Sequence, residues 1–479
     1  MSTFSGLGTA LSSLIAQRQA LEVSGQNVAN ANTVGYTRQR AALSSLPAAT
    51  VPSMFATTNG VGQGTSVTGF ERLGDVFLDA RLRNETSGAA RLAAVAGEYK
   101  TLEGVVGEPS KTGFSKDLTA FWSAWSDVAN NAGSSTDASG AVLLERAKAV
   151  TDRIATLYQD TGTQWQQALT TTTSLVTQVN TTAANIADLN TRIRSISNSG
   201  GSANELMDQR DLLVTQLSGL VGASSRTNDD GTVDVMVAGN ALVSGGSASE
   251  LAVSAGSPAS FQAAVDGGAV SIVWKSSGHP AGLDGGRVAG LLTALAPPAG
   301  GGLLTTAAGS LNAIATSIAG QVNAIHSTGY TVAGYATNTP AGDFFSLTAG
   351  QPAALGLKVA VASTADIAIA GAGKGAHDGS VGRQIAAIAA ATGSPDAQWS
   401  SFVVDLGVKS ASATSRATVA EAARSTAAAA QLAQTSVDTD EESVNMLAFQ
   451  RAYEGAARVL TTIDEMLDTL INRTGVVGR

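Results

Sequence analysis

Two stretches of three-four spacing, one at each end of the chain, restrict what it can fold into. Met446, Phe449, Tyr453, Ala456, Leu460, Ile463, Leu467 and Leu470 recur in alternating steps of three and four. That repeat keeps one stripe of a helix facing a partner helix. At the other end Phe4, Leu7, Leu11, Leu14, Arg18, Leu21, Gly25 and Val28 follow the same steps, and Arg18 is the only charged member. Burying each large apolar member is worth roughly 1.5–3 kcal/mol, whereas an isolated helix of this length is marginal in water. Each stripe therefore needs something to pack on. Pattern alone leaves two readings open: both ends complete one ordinary helical bundle, or the termini pair with each other and carry the protein's interactions.

Composition narrows the rest. The 479 residues suffice for roughly two to four domains. With 44% apolar residues, real cores can be buried; aromatics at 5% and charged residues at 14% are low, and Ala, Gly, Ser and Thr dominate. That mixture suits long helices with small interfacial residues. A formal charge of −9 argues against a nucleic-acid backbone as partner, which needs a basic face. The absence of cysteine excludes disulfides, thiolate metal sites and thiol catalysis. The start has no basic segment before Arg18 and no uninterrupted apolar run, so a cleaved secretory leader is not expected. No apolar run reaches the length of a membrane span, so no membrane insertion is expected. The expectation is a chain that is cytoplasmic, or exported by a route without a cleaved leader.

In chain order, residues 2–31 read as an amphipathic helix ending near Asn30, followed by the turn-rich Asn30-Ala31-Asn32-Thr33-Val34-Gly35-Tyr36. Gly60-Val61-Gly62-Gln63-Gly64 lacks the Lys-Ser/Thr ending of a phosphate loop and reads as a bend before a strand at Thr65–Val67. A helical region runs from about Asp75 to Val221. Within it Trp165, Leu169, Thr172, Val176, Val179, Ala183, Ile186, Asn190 and Ile193 form a continuous narrow seam, and Phe121, Trp122, Trp125 and Val128 form a core patch. Strands are expected at Thr232–Val237, Ala241–Val243, Glu250–Val253 and Ala269–Trp274, with a β excursion at Phe344–Leu347 and Leu357–Val361. Helix resumes near Val381 and again from Asp396 into the terminal seam. The expected class is mainly α with a β insert. Residues 1–60 plus 430–479 would form a terminal coiled coil, 61–225 plus 285–429 a helical bundle rod, and 226–284 a small inserted β domain.

Catalytic chemistry is hard to place. His279, His326 and His377 do not stand at helical spacing from one another. No nucleophile elbow or zinc-protease motif occurs. Asp440-Glu441-Glu442 suits the negative charge favoured at a helix start. No enzyme, cofactor or metal site is expected.

The two ends carry a resemblance. Gly25-Gln26-Asn27-Val28-Ala29-Asn30-Ala31-Asn32-Thr33-Val34-Gly35-Tyr36-Thr37-Arg38-Gln39 resembles the N-terminal signature of bacterial flagellar axial proteins. Its Tyr-Thr-Arg-Gln continuation is similar to the hook-associated protein 1 family, the first hook–filament junction proteins. Asp438-Thr439-Asp440-Glu441-Glu442, then Phe449-Gln450-Arg451-Ala452-Tyr453 and Asp464-Glu465-Met466-Leu467, resemble the family's C-terminal signature. Gly60-Val61-Gly62, Asp75-Val76-Phe77-Leu78, Arg81-Leu82-Arg83, Asp208-Gln209-Arg210-Asp211-Leu212, His326–Tyr330 and Gly342-Asp343-Phe344-Phe345 match between them. No motif carries over to residues 226–284.

The resemblance implies a structural protein of the flagellum, exported unfolded through the growing structure by its type III apparatus. It implies a ring of about eleven copies at the end of the hook, with hook protein and a second junction protein as neighbours and an export chaperone on the C-terminal segment. The implied location is extracellular, after a transient cytoplasmic stage. Within that reading the assembly seam is Phe4, Leu7, Leu11, Leu14, Leu21, Val28, Met446, Phe449, Tyr453, Leu460, Ile463, Leu467 and Leu470, and the motif residues are Asn27, Asn30, Gly35, Tyr36, Thr37, Arg38 and Gln39. The seams are expected to be disordered in the monomer and helical on docking. Alternatives are a hook or rod protein, which would lack the long helical region 75–221, an exported coiled-coil adhesin, or an enzyme housed in the insert.

Overall fold

In the computed structural model of the chain, residues 3–47, 62–132 and 137–473 are described. The first helix, α1 (Thr3–Asn30), leads to an antiparallel hairpin of β1 (Gln39–Ser45) and β2 (Thr65–Arg72). Four helices follow: α2 (Val76–Val106), α3 (Phe114–Asn130), α4 (Asp137–Asn198) and α5 (Asn204–Val221). Short strands come next, β3 (Ser224–Thr227), β4 (Val233–Val237), β5 (Asn240–Ser244), β6 (Ser247–Ala248) and β7 (Leu251–Val253), then α6 (Phe261–Val265) and β8 (Ile272–Trp274). After them lie α7 (Gly286–Leu295), α8 (Leu303–His326), α9 (Val332–Thr337), β9 (Phe345–Leu347), α10 (Ala353–Gly356), β10 (Leu357–Val359) and α11 (Ser380–Ala386). Two long helices, α12 (Pro395–Thr435) and α13 (Thr439–Asp468), follow, and the last runs on in helical turns through Thr469–Arg473. The protein is mainly helical with small sheets.

Local chemistry sets the boundaries. Asp75 starts α2 by accepting from Phe77 N at 2.7 Å and Leu78 N at 3.3 Å, and Gly107 ends it in a left-handed conformation. Ser394 caps α12, accepting from Ala397 N at 3.1 Å, with Pro395 in the first turn, where a missing N–H costs nothing. Gly222 ends α5 at φ 72°, and a Cβ there would lie 2.8 Å from Gly285 Cα, so close backbone approach joins α5 to the segment before α7.

The 62 residues of α4 span about 93 Å. The helix is rich in threonine, a poor helix former. Thr161, Thr172 and other threonines along it donate their hydroxyls to the carbonyl four residues back, which satisfies groups otherwise free to compete with the helix. The sequence seam Trp165–Ile193 is its buried face. The four-stranded sheet β3-β4-β5-β6 and the pair β7-β8 pack along it. Asparagines fix that docking. Asn190 donates to Val233 O and Gly245 O, both at 2.8 Å, and accepts from Val233 N; Asn180 meets both backbone groups of Leu251. The sequence shows β4, β5, β7 and β8, but β3 is polar Ser-Ser-Arg-Thr without alternation. The turn of helix at Phe261–Val265 was likewise not expected.

The densest packing is aromatic. Phe121, Trp125, Phe344 and Phe345 lie with ring centroids 4.8–6.4 Å apart, joining α3 to the β9 region. Trp122 Nε1 donates to Asp396 at 2.7 Å, tying α3 to the start of α12. His326 is fully buried beside Trp125 and Phe344. α12 returns along α2, which brings its end back to the hairpin.

Candidate functional site: the terminal helix pair and its polar hub

α1 and α13 lie side by side. On α13 the covered side is its apolar stripe: Ala456 and Ile463 are buried, and Met446, Phe449, Tyr453, Leu460 and Leu467 are half-buried. Leu470 is exposed. On α1 the buried residues are Ala10, Ala16, Ala20, Ser24 and Asn27, with Gly6, Ser13 and Gln17 half-buried; all but Ala16 fall on the expected heptad displaced by one residue. That displacement turns the helix by about 100°. Leu7, Leu14, Leu21 and Val28 are left half-buried on the flank, and Leu11 is exposed beside Ile15. The side chain of Phe4 lies outside the described residues. Small residues win the contact because they let the helix axes approach. A Cβ on Gly6 would already stand 3.1 Å from Ile463 Cδ1. Arg18, expected within the seam, is exposed and meets Glu22 at 3.6 Å instead.

At the base of this pair the motif residues converge. The Asn27 side chain accepts from Gln39 N at 3.0 Å, donates to Gln39 O at 2.9 Å, and accepts from the Tyr36 hydroxyl at 2.9 Å. Asn30 rounds off α1: its amide donates to Gln26 O at 3.0 Å, and its carbonyl accepts from the Thr33 hydroxyl. Gly35, at φ 82°, turns the chain against Leu212 on α5, in a conformation that a side chain would strain.

From there the chain is tied to α5 and to the C-terminal helices. Thr37 N donates to Asp208 at 3.1 Å. Arg38 donates its backbone N–H to Thr435 O at 2.9 Å and its guanidinium to Glu442 at 2.7 Å and Glu441 at 3.0 Å. Gln39 accepts from Asn204 at 2.8 Å and donates to Glu205 at 3.3 Å. Arg72, at the end of β2, bridges Asp208 and Asp211.

Burial shapes the charges here. Desolvation, with Glu205, Asp208 and Glu442 nearby, pushes the Tyr36 hydroxyl up to about 12, so it stays a donor. Burial also raises the Asp208 carboxyl and outweighs the opposing pull of Arg72. The hydrogen bond to Glu441 is the largest influence raising Arg38.

The structure thus brings Asn27, Tyr36, Thr37, Arg38 and Gln39 into one network, with Asn30 and Gly35 shaping the turn that delivers them. Asn204, Glu205 and Arg72 are members that sequence reading missed; nothing in their local pattern marks them. The network is built from side chains that hold backbone groups and pair charges across the fold. Among the described residues no group of acidic and histidine side chains is placed to hold a metal ion, and no helix is long and apolar enough to cross a membrane.

Comparison with known proteins agrees with this geometry. Residues 99–345 match the family described as the flagellar hook-associated protein FlgK helical domain. Residues 7–37 match a flagella basal body rod protein family, and 421–473 the C-terminal family of flagellar basal body rod FlgEFG proteins. The chain is 29% identical to flagellar hook-associated protein 1 of Bacillus subtilis over the whole of both chains. It is 30% identical to flagellar hook-associated protein 1 of Salmonella typhimurium over 72% of this chain and 59% of that one. Among solved structures, the flagellar hook junction protein FlgK from Burkholderia pseudomallei superposes with a TM-score of 0.63, covering 75% of this chain and all of that one at 17% identity. With the helical body, the rod-like ends and full-length similarity all in agreement, the chain belongs to the flagellar hook-associated protein FlgK family, structural proteins of the flagellar junction.

Proposed function

We propose that this chain forms the junction ring between hook and filament, joining its neighbours through the terminal helices. One observation carries the reading: α1 and α13 cover each other with one face apiece and leave a second apolar face bare. On α1 these are Leu11 and Ile15; on α13 they are Val444, Leu447, Val459 and Met466. Side chains of this size on a monomer's surface, aligned along one helix, mark a protein interface. The hub then fixes the direction in which the helix pair leaves the body.

The reading extends to hook protein and a second junction protein as neighbours, and to about eleven copies in the ring. It extends to export through the flagellar type III apparatus, a chaperone on the C-terminal segment, and an extracellular site of action. It divides the chain into 1–60 plus 430–479 for assembly, 61–225 plus 285–429 as the body, and 226–284 as the outward insert. The expected seam residues, together with Ile15 and the bare face of α13, serve assembly.

Electron microscopy of cells lacking this gene, with flagellin assayed in the medium, tests the role. Hooks without filaments, and flagellin lost to the medium, are expected. Missing hooks would place the protein in the rod or hook, and normal flagella would overturn the reading.

A further inference from the structure

Only one side of α12 is used by the body. Leu406, Ser410, Ala413 and Ala427 are buried on it. About half a turn round the helix, Val404, Val408 and Val419 are 61%, 64% and 69% exposed. These valines belong to a row in three-four steps, Val404, Val408, Ala411, Ser415, Val419 and Ala422. The row runs on to Ala433, with every member exposed and none charged. Its spacing is that of a helix facing a partner helix, and exposed apolar side chains in line mark an interaction surface.

α4 carries a second row. Thr163, Gln167, Thr170, Ser174, Thr177 and Thr181 recur in the same steps and are all exposed. No charged residue occurs between Asp160 and Asp188, although the solvent side of a helix ordinarily carries charge. Thr163, Thr170, Thr177 and Thr181 donate their hydroxyls to the carbonyls four residues back, at 2.9–3.2 Å. Covering this face therefore strands no charge and none of those donors.

The two rows stand on different sides of the body and at one level. α2, α3 and α8 each pack against both α4 and α12, and so lie between them. On α2, Glu98 accepts from Gln164 of α4 at 2.8 Å, and Glu103, one turn further on, accepts from Ser410 of α12 at 2.7 Å. Beyond the end of α2, Thr112 O accepts from Arg153 at 2.7 Å and Glu108 accepts from Trp399 at 3.3 Å. Both helices thus run antiparallel to α2, and Thr170 and Val419 fall at the same height.

We infer that the α12 row of one copy of this chain packs along the α4 row of the next copy in the ring. The inference rests on the assembly role proposed above. A closed ring of identical subunits needs a head-to-tail contact, with two different faces on every copy. The chain offers two such faces, uncharged, equal in step and level with each other. A single pair of helix rows brings together fewer residues than the roughly 20–30 a side of a stable complex. Free chains therefore stay apart, and the contact closes where the terminal helices have already gathered the copies.

The chain has no cysteine, so introduced thiols are its only ones. Cells carrying Thr170→Cys with Val419→Cys, or Thr177→Cys with Thr426→Cys, are treated with a short bismaleimide. Their hook–filament fractions are then run on a denaturing gel and probed with antibody to this chain. All four positions are exposed, and filaments are expected to grow. Each pair is expected to give a ladder of dimers and higher multiples, and each single substitution to give none. No ladder from either pair overturns the inference. So does a dimer from Val419→Cys alone, since it would bring two α12 rows together. Deletion of the gene separates the two proposals. Filaments lost on deletion, with no ladder from the pairs, leave the assembly role standing and remove this contact. Normal flagella after deletion remove the assembly role itself.

Discussion

Asn27 clasps Gln39 by both of its backbone groups, donating to the carbonyl at 2.9 Å and accepting from the N–H at 3.0 Å. A strand neighbour would make the same pair of bonds, so one side chain on a helix acts as the missing edge of β1. Asn180 does this for Leu251, and Asn323 accepts from Phe344 N and Phe345 N while donating to Phe345 O at 2.7 Å.

Asn27→Ala should loosen the terminal pair from the body without unfolding the body. Two buried backbone groups of Gln39 and the half-buried Tyr36 hydroxyl lose their bonds, each buried group at a cost of about 1–3 kcal/mol. Limited proteolysis should cut at residues 31–45 much faster than in the parent. The melting of the tryptophan core should barely move. An unchanged cleavage rate would show that the clasp is dispensable.

Arg38 and Arg40 are two residues apart and should differ sharply. Glu442, the partner of Arg38, has 2% of its side chain exposed, whereas Arg40 and Glu71 are 66% and 55% exposed. Glu442→Gln should cost about 1–3 kcal/mol, because Arg38 keeps Glu441 but loses its buried charged partner. Glu71→Gln should cost at most about 1 kcal/mol. Denaturant unfolding of the two variants provides the comparison, and equal losses would contradict the burial argument.

Stability should fall with acid through His326. Nδ1–H donates to Gly342 O at 2.7 Å, and Nε2 accepts from Ala368 N at 3.0 Å, which fixes a neutral ring joining three segments. Burial lowers its pKa below the ordinary value, with Gly342 O and then Asp343 pulling the other way. The unfolded chain therefore takes up the proton first as pH falls. The contribution is whole above about 6.5, declines below it, and is lost by the time pH has fallen through the lowered folded value. Urea unfolding followed by tryptophan fluorescence at falling pH should show this decline, and His326→Gln should flatten it while lowering stability throughout.

Exposed and covered faces of α1 should respond differently to substitution. Ile15→Asp should leave circular dichroism of the isolated chain unchanged and abolish filament growth. Ala20→Leu should disturb the helix pair itself, since Ala20 is buried in its contact, at a cost of about 1–3 kcal/mol. Helical content and cell motility, measured for both variants, distinguish the faces; identical behaviour would mean that the bare face has no role.

Amide exchange should run fast along α13 before assembly. Only Glu442, Ala456 and Ile463 are buried among its thirty residues, and regions with few buried contacts open easily. Protection at Leu460–Leu470 comparable to that of α8 would contradict the expectation that these ends order on docking.

The helices were legible because their apolar repeats are long. On α13 the stripe expected from the sequence is buried or half-buried except for exposed Leu470. At the N-terminal end periodicity weighs large side chains, whereas the fully buried residues of α1 are the small Ala10, Ala16, Ala20 and Ser24 together with Asn27, and Gly6 lies against Ile463. Closeness of approach, which no apolar count records, decided that face. The motif Asn27–Gln39 was recognisable as a resemblance, but its purpose was not. The partners Asp208 and Glu442 lie far along the chain, and only the fold brings them near.

That distance has a temporal consequence. Arg38 leaves its source among the first residues of the chain, while Glu441 and Glu442 come some four hundred residues later. In a chain that emerges N-terminus first, no fragment can close this contact until almost all of it has passed. The hub is therefore a mark of completion, and a truncated subunit would present its helix without the orientation that makes it fit.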